Sequence, residues 1–211
     1  MMKIQAAIDR VDLDKAVSLT KQISQYVDII EWGTSLVKDF GIQRLAERTN
    51  VFGNAQVLYD IKTIDEGEYE FKVGFESKAD ILTVMGASSV ATLEKCYQVA
   101  QDQDKTMMID LMGLDESQIE KVLGFDQAIY CIHHSKDSGK ITNASDTVAS
   151  FRTSFPSVKH IAIAGGIDYA NTVALAQQGI VDIAIVGSGI VKAIDPVAEA
   201  KRFGKVVSDE K

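Results

Sequence analysis

Short apolar runs recur along the chain with amphipathic stretches between them. The runs occupy residues 4–8, 27–32, 56–61, 81–85, 106–111, 128–132, 160–164 and 183–186. Between them, residues such as Leu13, Ala16, Val17 and Thr20, or Leu93, Cys96, Tyr97 and Ala100, fall at helical spacing. A run of Val, Leu and Ile without polar interruption predicts a strand covered on both faces, as in parallel sheets. Eight such runs alternating with helices predict eight βα repeats. A chain of 211 residues accommodates these as a compact (β/α)8 TIM barrel, single-domain over residues 1–211. An open doubly wound sheet is the competing arrangement, because periodicity does not reveal closure. Only Pro156 and Pro196 interrupt the chain, and neither sits in a Ser/Gly-rich linker.

Composition narrows the function classes. A formal charge of -8 with 46% hydrophobic residues suits a soluble domain with a full core. No cluster of Lys and Arg offers an electrostatic footprint for nucleic acid. No apolar stretch approaches the roughly 18 residues of a membrane span, and the start of the chain is too short and polar for a signal peptide. The expectation is a cytoplasmic protein with neither nucleic-acid nor membrane partners. Cys96 and Cys131 lie in apolar surroundings without C-x-x-C spacing, which predicts buried reduced thiols.

Chemistry-bearing side chains fall where a barrel would use them, at the carboxyl ends of several strands. These are Asp9, Glu31, Asp60 with Lys62, Asp110, and the pair His133 and His134. One polar strand terminus is commonplace, but a register across five strands predicts a catalytic cup. The densest signal is the D-x-K-x-x-D element of Asp60, Lys62 and Asp65. Asp60 and Lys62 share one side of a period-2 strand, and the flanking carboxylates favour a protonated lysine suited to charge stabilisation. Imidazole is the side chain best suited to carry protons near neutrality, and His133, directly after an apolar run, is preferred over His134.

Strands seven and eight end instead in Gly165-Gly166 and Gly187-Ser188. Small residues let backbone N–H groups approach an anion, and a short helix starting near Ser188 would add its positive end. Tight turn geometry alone is the other reading of these glycines. The expected ligand is a phosphorylated small molecule. Opposite it, Glu31 and Asp60 form a hard oxygen pair suited to Mg²⁺, a Lewis acid that stabilises an enediolate and so implies chemistry next to a carbonyl.

These residues resemble the orotidine 5'-monophosphate decarboxylase suprafamily, in its branch of 3-hexulose-6-phosphate synthases and 3-keto-L-gulonate-6-phosphate decarboxylases. The resemblance rests on Ala7-Ile8-Asp9, on residues 28–34 and 60–67, on Ala164-Gly165-Gly166-Ile167 and on Ile185-Val186-Gly187-Ser188. It implies a (β/α)8 homodimer acting on a sugar phosphate. In it Glu31 and Asp60 would bind Mg²⁺, Asp9 and Lys62 would contact substrate, and Asp65 would reach the neighbouring subunit's site. Asp110 and Lys136 join Asp9 as expected substrate contacts, and Gly165, Gly166, Gly187 and Ser188 would hold the phosphate.

The two activities of the branch share a 1,2-enediolate. Asp110, within residues 108–113, and residues 82–87 look like the synthase pattern. His133-His134-Ser135-Lys136-Asp137 is similar to the decarboxylase pattern. The preferred reading is the synthase, which adds formaldehyde to ribulose 5-phosphate with His133 removing the C1 proton. The decarboxylase is the alternative. Orotidine 5'-phosphate decarboxylase comes third, because it carries lysine where this chain has Glu31. A phosphosugar-binding protein with decayed catalysis is the non-enzymatic alternative. Trp32 stands where a small aliphatic is usual, either narrowing the cavity or filling the core.

Overall fold

The computed structural model describes residues 1–135 and 143–208. Eight strands run Lys3–Ile8 (β1), Ile29–Trp32 (β2), Gln56–Thr63 (β3), Ile81–Met85 (β4), Thr106–Asp110 (β5), Ile129–His133 (β6), His160–Ala164 (β7) and Ile183–Val186 (β8). The helices are Leu13–Ile23 (α1), Thr34–Phe40 (α2), Ile42–Ala46 (α3), Gly67–Glu76 (α4), Val90–Asp102 (α5), Glu116–Lys121 (α6), Ala144–Ser154 (α7), Tyr169–Gln178 (α8), Ser188–Val191 (α9) and Pro196–Ser208 (α10). Each strand pairs in parallel with the next, and β8 returns to β1, closing the barrel. Closure excludes the open-sheet alternative. No helix among the described residues is long and apolar enough to cross a membrane.

Strand residues alternate between two apolar systems, as a pleat with a period of two requires. Ile29, Leu58, Ile81, Met108, Ile129, Ala162 and Ile183 point into the barrel. Their sequence neighbours Ile30, Val57, Tyr59, Leu82, Ile109, Ile161 and Ala184 belong to the larger layer between sheet and helices. Helix α1 buries Leu13, Ala16, Leu19 and Ile23 against that layer. Each fully buried Leu or Ile contributes on the order of 2 kcal/mol. The helix starts where the Asp12 carboxylate accepts the Lys15 N–H, one of the amides left without a partner in a first turn. Trp32 belongs to this outer layer. Fully buried, it stacks near Tyr59 and donates its indole N–H to Thr20 Oγ1 at 2.9 Å, so it fills the core and does not narrow the cavity.

The amino-terminal rim is stitched by a repeated device. Asp28, Asp80 and Asp182 immediately precede β2, β4 and β8, and their carboxylates accept the backbone N–H of Ile4, Val57 and Ile161 on neighbouring strands, each at 2.9 Å. Charge-assisted bonds of this kind satisfy amides that begin a strand. The opposite rim is thereby free for function.

One strand departs from ideal pairing. The register of β3 against β4 shifts between Tyr59 and Thr63, and Lys62 adopts φ +49°, a left-handed conformation uncommon for a residue with a side chain. The irregularity falls inside the D-x-K-x-x-D element.

Candidate active site

A cavity of ≈ 520 Å³ opens at the carboxyl ends of the strands. The alternation that buries the barrel interior also builds this cavity. Glu31 lies two residues beyond Ile29, Asp60 two beyond Leu58, Thr83 two beyond Ile81, Asp110 two beyond Met108, and His133 two beyond Cys131. All five line the cavity, together with Gln5, Asp9, Lys62 and Ser135.

Lys62 is the hub. Its Nζ lies 3.0 Å from Asp60 Oδ2 and 2.8 Å from Asp110 Oδ2. Burial works against its charge, but the carboxylates of Asp60 and Asp110 outweigh that and hold the ammonium well above the ordinary lysine range. The sequence element suggests Asp60 and Asp65 as its flanking charges. The structure replaces Asp65 with Asp110, because Asp65 lies beyond the end of β3, exposed and outside this cavity.

Asp110 is shared. Its Oδ2 also accepts from His133 Nδ1 at 2.8 Å, and its Oδ1 accepts the Met112 N–H at 2.9 Å. Burial would raise its carboxyl, yet the His133 hydrogen bond and charge, with Lys62, prevail and lower it to about 2. With Nδ1 bonded to a carboxylate, the second ring nitrogen of His133 is left for a reacting proton. His134 does not line the cavity. Its N–H bonds to the Ala164 carbonyl, and its own backbone lies against Gly165.

Asp60 is held from several sides. Thr34 Oγ1 donates to its Oδ2 at 2.6 Å and Thr83 Oγ1 to its Oδ1 at 2.8 Å. Asp9 is fixed by Ser35, whose N–H lies 3.0 Å from Asp9 Oδ1 and whose hydroxyl donates to the same oxygen. Glycine is required at position 33, since a Cβ there would stand 2.8 Å from the Asp9 carboxyl carbon.

Glu31 is the carboxylate least provided for. Burial and then the charge of Asp60 push it up to about 8, against the opposing pull of a 2.6 Å bond from Gln5 Nε2 and of Lys62. Glu31 and Asp60 thus share a desolvated floor on which the Lys62 ammonium is engaged by Asp60 and Asp110, leaving Glu31 without an ion pair among the described residues, a situation a divalent cation relieves. Among the described residues no group of three or more His, Cys, Asp and Glu forms a metal cage. Two carboxylates suit Mg²⁺, which keeps several waters and takes further oxygens from substrate. The residues therefore fit the ion.

Across the cavity stand Gly165, Gly166, Gly187 and Ser188. Gly165 has φ +97°, and a Cβ there would meet the His134 carbonyl oxygen at 2.2 Å, so the loop after β7 lies against the end of β6. The helix expected near Ser188 is present as α9 but comprises only four residues. The bare amides of these loops, rather than a helix dipole, are what this wall offers an anion. Lys136 lies outside the described residues.

The family model described as "Orotidine 5'-phosphate decarboxylase / HUMPS family" matches residues 2–203. The chain belongs to this family. A 3-hexulose-6-phosphate synthase of Bacillus subtilis is 31% identical over 98% of this chain and 99% of its own length. One from Staphylococcus haemolyticus is 32% identical over 95% and 96%. The crystal structure of 3-hexulose-6-phosphate synthase from Salmonella typhimurium superposes with a TM-score of 0.88, at 27% identity over all of both chains. Against this HUMPS-family background, Gln5, Thr34, Ser35 and Thr83 are uncharged polar cavity residues that charge-seeking along the sequence missed, and Arg10, Lys38 and Lys192 are charged ones it also passed over. Counting by twos would have found two of them: Gln5 precedes Ala7 and Asp9 on the inward side of β1, and Thr83 follows Ile81 on that of β4.

Proposed function

We propose that this protein is a Mg²⁺-dependent carbon–carbon lyase of the 3-hexulose-6-phosphate synthase type, joining formaldehyde to ribulose 5-phosphate. The observation that carries the chemistry is the shared Asp110 carboxylate, which aims His133 and holds Lys62 opposite the Glu31–Asp60 pair. The choice of the synthase is supported by full-length relatives of that name at 31% and 32% identity.

The amides of Gly165, Gly166, Gly187 and Ser188 receive the phosphate, placing the sugar chain across the floor towards β2 and β3. Asp9, anchored by Ser35, accepts from a substrate hydroxyl. Glu31 and Asp60 would hold Mg²⁺, which when bound supplies Lewis-acid stabilisation of negative charge on the substrate's oxygens. The free ring nitrogen of His133 removes the C1 proton of ribulose 5-phosphate, and the electron pair moves into a 1,2-enediolate. Lys62, kept protonated by its two carboxylates, stabilises that charge by hydrogen bonding. C1 then attacks the formaldehyde carbon, the carbonyl π pair moves to oxygen, and the protonated His133 returns its proton there. One carbon–carbon bond forms and nothing leaves.

The working unit we infer is a homodimer in the cytoplasm. Asp65 is exposed and outside its own cavity, and nearby Ile64 and Tyr69 are 55% and 67% exposed, consistent with a face covered by a second copy whose site Asp65 completes. Sedimentation giving a monomer at micromolar concentration defeats that part.

Purified protein with Mg²⁺ should form hexulose phosphate from ribulose 5-phosphate and formaldehyde without releasing CO₂. Release of CO₂ from 3-keto-L-gulonate 6-phosphate, with no aldol product from the first pair, would make it the decarboxylase instead.

A further inference from the structure

Gln5 is a polar residue in an apolar place. It lies mid-strand in β1 with its side chain inside the barrel, fully buried, flanked across the two ladders by Ile29 and Ile185. Its Nε2 donates to Glu31 Oε2 at 2.6 Å, while its Oε1 is buried and accepts no hydrogen bond. A leucine or methionine would fill the same volume without an unpaired carbonyl. Its amide nitrogen bonds to Glu31, so an apolar replacement removes an unpaired carbonyl and a paired donor together. The orientation is dictated by charge, since the amide oxygen would repel a carboxylate oxygen at that distance.

We propose that Gln5 is a positioning residue for the divalent cation. Its N–H ties up Oε2 of Glu31 and fixes the rotation of the carboxylate, leaving Oε1 for the ion. Groups that hold a metal's ligands in place typically change affinity 10–100-fold when removed. The proposal rests on the reading that Glu31 and Asp60 hold the cation.

Mn²⁺ serves as the probe, its binding to substrate-free protein followed by electron paramagnetic resonance and calorimetry, with thermal unfolding in EDTA measured in parallel. Gln5→Met should weaken Mn²⁺ binding 10–100-fold while the melting temperature in EDTA changes little, because removing the unpaired Gln5 carbonyl offsets the donor lost to Glu31. Should that variant fail to fold, Gln5→Leu is measured in the same way. Unchanged affinity in a folded variant overturns the proposal, as does a fall in the EDTA melting temperature without a fall in affinity, which would make Gln5 purely structural. Glu31→Gln and Asp60→Asn isolate the underlying reading: wild-type protein that binds no Mn²⁺, or binds it equally after both changes, removes the cation site and Gln5's role with it.

Discussion

Thr83→Val tests whether the strained lysine turn is held by one hydroxyl. Thr83 is 4% exposed, donates to Asp60 Oδ1 at 2.8 Å, and accepts the Lys62 N–H at 2.9 Å. Valine reproduces its shape and removes both bonds. The Lys62 amide, in a left-handed conformation off the ladder, then lacks this acceptor, at a cost of about 1–3 kcal/mol. Asp60 Oδ1 keeps Lys62 Nζ at 3.1 Å, so its loss is partial, about 1 kcal/mol. The sum is about 2–4 kcal/mol, which for a domain of this size lowers the melting temperature by roughly 5–15 °C. Urea unfolding in EDTA, followed by circular dichroism, measures it free of any metal contribution. Thr83→Ser, which keeps the hydroxyl, should recover most of the difference. A valine variant within about 0.5 kcal/mol of wild type, the ordinary scatter of inconsequential substitutions, would refute the view that this hydroxyl secures the turn.

Asp60→Asn should abolish aldol activity with the fold intact by circular dichroism, and near-normal turnover would defeat the assignment. Asp110→Asn takes the anchor from His133 and a partner from Lys62, so kcat should fall by about 10²–10⁴; a loss confined to KM would place His133 outside the proton transfer. Asp110 also sets an acid limb of stability. Its folded value near 2 lies below the unfolded value of 3.8, so its contribution, about 2 kcal/mol, is present above pH ~4 and is lost as pH falls through about 2. Urea midpoints between about pH 2 and 5 should therefore fall less steeply in Asp110→Asn, and parallel slopes would count against the coupling. Trp32→Phe leaves the Thr20 hydroxyl without its indole donor and should destabilise by about 1–3 kcal/mol without altering KM, measurable by the same titration.

Much of the barrel was legible because fully buried parallel strands write themselves as apolar runs. The expected ranges 81–85, 160–164 and 183–186 coincide with β4, β7 and β8. The misses have local causes. The apolar pattern starts the second strand at residue 27, but β2 begins at Ile29, with Asp28 diverted to cap the Ile4 amide. β3 continues past residue 61 to Thr63, because the strand carries its polar residues inward through the irregular Lys62. Period-2 parity explains Trp32 as well: it sits one residue from inward-facing Glu31 and so faces the helices. Closure was not legible, since β1 and β8 are joined only by pairing.

Within the site, the charges at strand ends were visible because ionisable groups are rare inside barrels. What each one touches was not. Asp60, Lys62 and Asp65 are neighbours in sequence, yet the lysine's second partner is Asp110, 48 residues away. Such a pairing follows from barrel curvature, which brings the ends of β3 and β5 across the cup, and no local spacing encodes it.

The charge balance of the cup explains why these particular residues occur together. Asp9, Glu31, Asp60 and Asp110 line one cavity in a chain already carrying a formal charge of -8. Four carboxylates around a site for an anionic sugar phosphate would repel it unless each were committed elsewhere. Ser35 engages Asp9, Lys62 and His133 engage Asp110, and Lys62 with two hydroxyls engages Asp60. Only Glu31 is left with a single neutral donor, and it is the one whose carboxyl is forced upward. At the mouth, Arg10, Lys38 and Lys192 line the same cavity, and none forms an ion pair among the described residues. Cations without ion-pair partners among the described residues at the entrance, and a carboxylate without a charged partner at the floor, give the cup the polarity that the proposed phosphate and Mg²⁺ positions require.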